Sequence, residues 1–371
     1  MKLRNCDIYQ LKEISKEKKL ICFGGGKEFF DFFSDFRRLY LERNLYAVVD
    51  NNREKVGTIL EVEGLSIPII DIESLLQIKN LILLISCADV EGIVKQLERY
   101  VELNEVWCFT IHFVRSETNK TYEKRRAYPD SFRVTDIPRI PRKIHYCWFG
   151  KEEIPEKNRI WMESWKKYCP DYEIIRWDES NYDVSKNRYM YEAYQNRKWG
   201  FVSDYARIDI VYHYGGIYLD TDVEIIKSWE DLRYQEAFMG AEMNFKIALG
   251  LGFGSVQYYS LWQELLDMYE RIHFVREDGT WNLIACPELQ NSVYLRRGFQ
   301  NDGEYQRVGE VVLYPPAVLS PKDQYTGEIL LTPHTYSIHH YDGSWVEDKQ
   351  RKNDYGRKKL YARFKNISGE N

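Results

Sequence analysis

Asp220 and Asp222, two residues apart in Leu219-Asp220-Thr221-Asp222, are the pair best able to do chemistry in this 371-residue chain. In an extended backbone, residues i and i+2 point the same way. Both carboxylates can then meet one hard cation. Such a cation offsets the charge of a departing diphosphate. Upstream, Asp204 and Arg207 are three apart and share one face of a helix. Phe201, Tyr205, Ile208 and Tyr212 fill another face with apolar surface. Further on, His339 or His340 can complete a metal shell through an imidazole nitrogen. Strand alternation turns only one of the two inward, and spacing does not choose between them. No nucleophile with a partnered base is legible. The work left to the protein is positioning and electrostatic stabilisation of the leaving group.

Three elements must hold these groups. The helix bearing Asp204 and Arg207 ends at Gly215-Gly216, since glycine tolerates the left-handed conformation that closes a helix. Ile217-Tyr218-Leu219 then reads as a buried strand that delivers Asp220. Another strand begins at Lys143 and runs through Trp148.

The first hundred residues alternate strand and helix signals. Apolar strands are expected at 19–23, 45–49, 81–85 and 105–109. Helices are expected after Gly24-Gly25-Gly26, with Phe29, Phe33 and Phe36 on a helical repeat, and over 90–100. Alternation of this kind implies a parallel, Rossmann-like sheet. Its glycine turn, with Gly24 and Gly26, opens a helix whose N-terminus can accept a phosphate. Asp50 ends the next strand, where such folds hold an acid for a ribose. Phe29 replaces the third glycine of the usual fingerprint. The turn therefore reads either as a nucleotide or nucleotide-sugar site or as a tight turn in a scaffold domain. Residues 114–139 are charged, contain Pro129 and Pro138, and read as a linker. The expected organisation is α/β throughout: a Rossmann-like domain at 1–113, the linker, a catalytic domain at 140–346, and a basic tail at 347–371.

Composition narrows the function. The formal net charge of −5 excludes an obvious nucleic-acid binder. Seven scattered Cys without a Cys-x-x-Cys pair point to reduced thiols in a cytosol, not to disulfides or zinc. The opening MKLRNCDIYQLKEISKEKK holds no apolar run of the kind a signal peptide carries. No run approaches the roughly 20 apolar residues of a membrane span. The tail reverses the overall charge. Leu360, Tyr361 and Phe364 add an apolar stripe, so it reads either as a membrane-surface segment on the inner face of the cell membrane or as a packed helix.

The run FVSDYARIDIVYHYGGIYLDTD, from Phe201 to Asp222, resembles the central signature of the DXD-containing sugar transferases of glycosyltransferase family 32. It is more distantly similar to the glucosylating domain of large clostridial toxins. Three further blocks follow the family's order: IPRKIHYCWFG from Ile140, SWKKYCPDYEIIRWDE from Ser164, and TYSIHHYDGSW from Thr335. The resemblance implies a GT-A type fold for the nucleotide-sugar transferase domain and transfer with retention of configuration. By the same resemblance Trp148 stacks on the nucleotide base, and Ser203, Asp204 and Arg207 bind the donor's sugar and ribose. Tyr218 lies beside the donor, Asp220 and Asp222 form the metal motif for Mn2+ (or Mg2+), and Ser344 and Trp345 close over the diphosphate. The expectation is a hexose moved from a nucleotide sugar, UDP-hexose first, to a glycan acceptor on a lipid carrier in surface-polysaccharide assembly. The alternatives are a non-catalytic nucleotide-sugar sensor and a toxin-like transferase acting on protein.

Overall fold

The computed structural model describes residues 1–343 and 348–367. The chain divides into two compact units. The first comprises Met1–Arg125, Asp323–Glu328 and residues 348–367; the second comprises Arg126–Lys322 and residues 329–343.

The first unit runs β1 (Lys2–Asn5), α1 (Ile8–Glu17), β2 (Lys19–Phe23), α2 (Lys27–Asp35), β3 (Leu45–Val49), β4 (Ile59–Val62) and β5 (Leu65–Ile70). It continues with α3 (Ile72–Leu76), β6 (Leu81–Ile85), α4 (Val90–Leu97), β7 (Trp107–Thr110) and α5 (Ile111–Arg125). Its sheet order is β1-β7-β6-β2-β3-β5-β4, with a short strand Lys365–Asn366 added outside β1. All neighbours are parallel except β4, which is antiparallel to β5. β6 is buried at every position, as a central parallel strand covered on both faces must be. Asp7, Asp71 and Asp89 cap α1, α3 and α4 through their side chains, which fixes where those helices start.

The glycine turn sits where the sequence places it. Gly24 has φ of +103°, and a Cβ there would meet Cys87 Cβ at 3.0 Å. The carboxylate of Asp50 accepts from the Gly25 N–H at 3.4 Å and from the Asn52 N–H at 2.9 Å, and pairs with Lys55 at 3.4 Å. Asp50 thus steadies the turn itself. Gly26 caps α2 with no side-chain hydrogen bond and with open space around its Cα.

Two sequence expectations change here. Residues 114–125 continue a helix that begins at Ile111 and are not linker; the helix buries Phe113, Val114 and Thr118 together with Arg115, which pairs with Asp35 at 2.6 Å. Buried polar groups blurred the apolar period. Residues 126–139 lack regular structure but pack into the second unit, where Phe132 is buried against Tyr314. The tail is not a separate segment either. Helix Asp348–Tyr361 packs on α4, and Leu360 and Phe364 are buried in the first unit's core. Of the two readings of the tail, the packed helix is the one seen for Leu360 and Phe364. Among the described residues no helix is long and apolar enough to cross a membrane.

The second unit contains β8 (Lys143–Cys147), α6 (Glu156–Tyr168), β9 (Glu173–Trp177), α7 (Arg188–Gln195), α8 (Trp199–Tyr214), β10 (Gly216–Tyr218), β11 (Val223–Ile225) and β12 (Ala237–Gly240). β13 (Phe253–Ser255), α9 (Ser260–Tyr269), α10 (Cys286–Arg296), β14 (Gln306–Val308), β15 (Val311–Tyr314) and β16 (Ser337–His339) follow. The main sheet is ordered β14-β15-β12-β13-β10-β8-β9, and β11 pairs with β16 in a separate ribbon. β8 is parallel to both β9 and β10. α8 is buried on nearly all sides, Asp204, Arg207 and Asp209 included. A helix enclosed this way loses the one-sided pattern of a surface helix.

Candidate active site

β10 and the turn after it build the centre. Leu219 N–H still bonds to His145 C=O at 3.0 Å, so the strand geometry persists to the edge of the motif. The chain then turns: Val223 N–H bonds to Asp220 C=O at 3.1 Å. Asp220 and Asp222 therefore converge through a tight turn, not through the extended alternation that the sequence suggested. Gly250 makes room for the first of them. A Cβ there would come within 2.3 Å of Asp220 Oδ2, and the Gly250 C=O accepts the Asp220 N–H at 3.3 Å.

The β11–β16 ribbon brings the histidine. Val223 pairs with His339 in register. His339 Nε2 stands 3.2 Å from Asp222 Oδ1, and the Asp342 N–H donates to Asp222 Oδ2 at 2.8 Å. One ligand atom from each of Asp220, Asp222 and His339 falls within 4.8 Å of the others. His340 turns away. Its Nε2 lies 2.8 Å from Glu224 Oε2, and its ring stacks on Trp161 at 4.2 Å. Strand alternation thus selects His339 over His340. Two carboxylates and an imidazole suit a divalent ion such as Mn2+. His339 Nδ1 is buried without a hydrogen-bond partner.

α8 supplies the cation of the fold itself. Arg207 Nη2 stands 3.1 Å from Asp204 Oδ1 and 3.4 Å from Asp220 Oδ1. Its Nε donates to Ser203 C=O at 3.0 Å, and its guanidinium lies 5.2 Å from the Tyr218 ring centroid. The Tyr218 hydroxyl donates to Asp220 Oδ1 at 2.9 Å. Asp204, Arg207, Tyr218 and Asp220 form one network.

Charge in this network is divided unevenly. Burial alone would raise Asp222, but the His339 charge and hydrogen bond with the Asp342 N–H outweigh it and hold Asp222 at about 2. Burial raises Asp220, against the pull of Arg207 and with the push of Asp222. Burial also raises Asp204 to about 6, opposed by Arg207 and helped by Asp220. His339 rises despite its burial, because Asp222, Asp220 and Glu242 surround it with negative charge. Neighbouring acids whose affinities for protons are pushed apart are characteristic of working sites.

Asp204 gives a stability expectation. Its folded value lies above the ordinary range of an aspartate. The unfolded chain therefore ionises first, and the group's contribution to stability is lost as pH rises from about 4 to about 6. Asp204→Asn should flatten the fall in Tm across that window. A curve parallel to the unsubstituted protein's would place Asp204 in a solvated setting.

The remaining residues stand as follows. Trp148 is half-buried just beyond β8, its N–H on Trp177 C=O at 2.9 Å and its indole N–H on Glu152 C=O at 2.7 Å. Among the described residues it is not part of the two core clusters built around Tyr218 and Trp229. The Ser203 hydroxyl turns back to Trp199 C=O at 3.2 Å. Ser344 and Trp345 lie outside the described residues. Sequence reasoning missed Gly250, Asp342, Glu242 and Cys286. Glu242 follows β12 as Asp220 follows β10, a strand-end acid that was there to be found. Cys286 opens α10 beside Asp204, a contact that only the tertiary fold creates.

Residues 155–239 match the family described as the glycosyltransferase sugar-binding region containing a DXD motif. The DXD region contains Asp204, Arg207, Asp220 and Asp222, and the matched span ends before His339. An inositol phosphoceramide mannosyltransferase of Schizosaccharomyces pombe is 35% identical over 108 residues, 27% of this chain and 29% of its own length. A mannosyl phosphorylinositol ceramide synthase of Saccharomyces cerevisiae is 37% identical over 90 residues, 22% of each chain. The chain thus covers less than a third of either relative. Among solved structures, the PaToxG glycosyltransferase aligns with a TM-score of 0.36 at 17% identity, over 50% of this chain and 78% of that one.

A base-stacking role for Trp148 has a kinetic signature. Stacking is present both before and during the transition state, so its loss weakens binding without lowering the maximal rate. Trp148→Ala should cost about 1–3 kcal/mol of nucleotide affinity. Unchanged affinity, measured by titration calorimetry, would make Trp148 a packing residue.

Proposed function

We propose that this protein transfers a hexosyl group from a nucleotide sugar to a glycan acceptor, with a divalent ion at Asp220, Asp222 and His339. The observation that carries the reading is the convergence of those three ligands beside the buried Asp204–Arg207 pair within the matched DXD region. Mn2+ bound there supplies charge that offsets the donor's diphosphate. The chain's own groups do the rest. Asp222, held ionised, keeps its charge at any physiological pH. Arg207 holds Asp220 and Asp204 in place, leaving Asp204 to accept from a sugar hydroxyl. Trp148 offers a flat face to the base.

UDP-hexoses and GDP-mannose are the donors to try first, the latter because the Schizosaccharomyces pombe relative is named a mannosyltransferase. A lipid-linked acceptor, as in surface-polysaccharide assembly, fits the large apolar side chains of Trp281, Leu283 and Ile284, which stay exposed just before Cys286. The test is a thermal-shift screen of nucleotide sugars with manganese. A donor at 100 times its Kd stabilises the fold by about 2.7 kcal/mol. No shift with any UDP- or GDP-sugar would remove donor binding and leave the reading without its first step.

A further inference from the structure

The helix Asp348–Tyr361 hides one face in the first unit and shows another to solvent. Gly356, Arg357 and Leu360 are buried, and Gly356 lies so close to α4 that a Cβ would come within 2.4 Å of Glu91 Oε2. On the outer face Tyr355 is 73% exposed, the most open large hydrophobic side chain among the described residues. Residues three and four apart share a helix face. Arg351, Lys352, Lys358 and Lys359 stand at those spacings before and after Tyr355, and all four are exposed. An aromatic ring is thus encircled by four cations. Acids at the border are already engaged: Asp354 accepts from Arg357 at 2.6 Å, Glu91 pairs with Lys95 at 2.6 Å, and Glu98 pairs with Arg363. The chain as a whole carries a formal net charge of −5, so this face runs against the sign of the molecule. The core takes Leu360 and Phe364 from the segment and leaves these five side chains outside.

We propose that this face docks the protein on an anionic membrane surface, with Tyr355 at the headgroup level and the four cations against lipid phosphates. A tyrosine has a flat apolar body and a polar tip, the combination that suits a membrane–water interface. Each Lys or Arg near such a surface is drawn by its negative potential, and the attraction fades within a Debye length. The central aromatic favours a lipid interface over a nucleic-acid duplex, whose phosphate ridges offer it no apolar layer. Docking of this kind needs no membrane-spanning helix and does not depend on the metal site. It would hold a transferase at the plane where a lipid-linked acceptor lies.

The experiment sediments the full-length protein with vesicles of phosphatidylglycerol and phosphatidylcholine, and with phosphatidylcholine alone, at low and at high salt. Recovery is expected with the anionic vesicles at low salt, little with phosphatidylcholine, and most of it should be lost at high salt. Lys358→Gln/Lys359→Gln should weaken binding to anionic vesicles about tenfold or more. Tyr355→Ala should weaken it several-fold at either salt, because an apolar contact is not screened. Lys166→Gln/Lys167→Gln removes the same charge from an exposed pair on α6 and should leave binding within about twofold. All the changed residues are exposed, so every variant should keep the unsubstituted Tm. Binding by Lys358→Gln/Lys359→Gln as strong as that of the unsubstituted protein overturns the proposal. An equal loss in the α6 control also overturns it, since overall charge and not this face would then be read. Tighter binding to a DNA duplex than to anionic vesicles at the same salt overturns it in favour of a nucleic acid.

Discussion

Asp222→Asn is expected to lower kcat by roughly 10²–10³-fold, the loss seen when one preorganised stabiliser of developing charge is removed, while Tm changes little. Asp222 is the most firmly ionised acid of the site, held at about 2. An amide keeps its shape and can still accept the Asp342 N–H that now bonds Oδ2 at 2.8 Å. What it loses is the charge facing His339 and the ion. His339 has a way out of the resulting imbalance, because an imidazole can release its proton near neutral pH. No buried charge is left stranded, so the fold should survive. Turnover in saturating manganese within twofold of the unsubstituted protein would take Asp222 out of the site.

Arg207→Ala should be far more damaging to the fold. The guanidinium is 6% exposed, between Asp204 and Asp220. A guanidinium has no neutral form near physiological pH, and its removal leaves the buried Asp204 and the partly buried Asp220 without the cation that lies between them. Breaking such a set costs about 3–5 kcal/mol. For a protein of this size that corresponds to a fall in Tm of about 5 °C. Adding Asp204→Asn should recover part of the loss, since one uncompensated carboxylate is then gone. Activity should not return with stability, because on the proposed reading the same change removes a sugar contact. An unaltered Tm in Arg207→Ala would mean that the pair with Asp204 is an ordinary solvated ion pair, worth little.

The centre of the site was legible because its signals are local. Ile217-Tyr218-Leu219 is apolar and short, Gly215-Gly216 breaks the preceding helix, and the acids follow at once. The choice between His339 and His340 needed the β11–β16 register, a pairing across more than a hundred residues of sequence. Gly250 needed the approach of a second loop, and Cys286 the packing of α10. α5 was hidden for a different reason. It buries Arg115, Ser116, Thr118 and Asn119 as well as Phe113 and Val114, so no apolar stripe marks it. The tail showed its stripe plainly, and the sequence read the stripe correctly as something to be covered. Which surface covers it is a tertiary fact: Leu360 and Phe364 enter the first unit's core.

The proposed metal-dependent sugar transfer at Asp220, Asp222 and His339 is open to one decisive assay: release of nucleoside diphosphate from UDP-hexoses and GDP-mannose, followed with manganese and again after chelation. The expected result is turnover of at least one donor with manganese, silence in excess chelator, and recovery when manganese is restored. Turnover that persists undiminished in chelator, or none from any donor with the metal present, would contradict it.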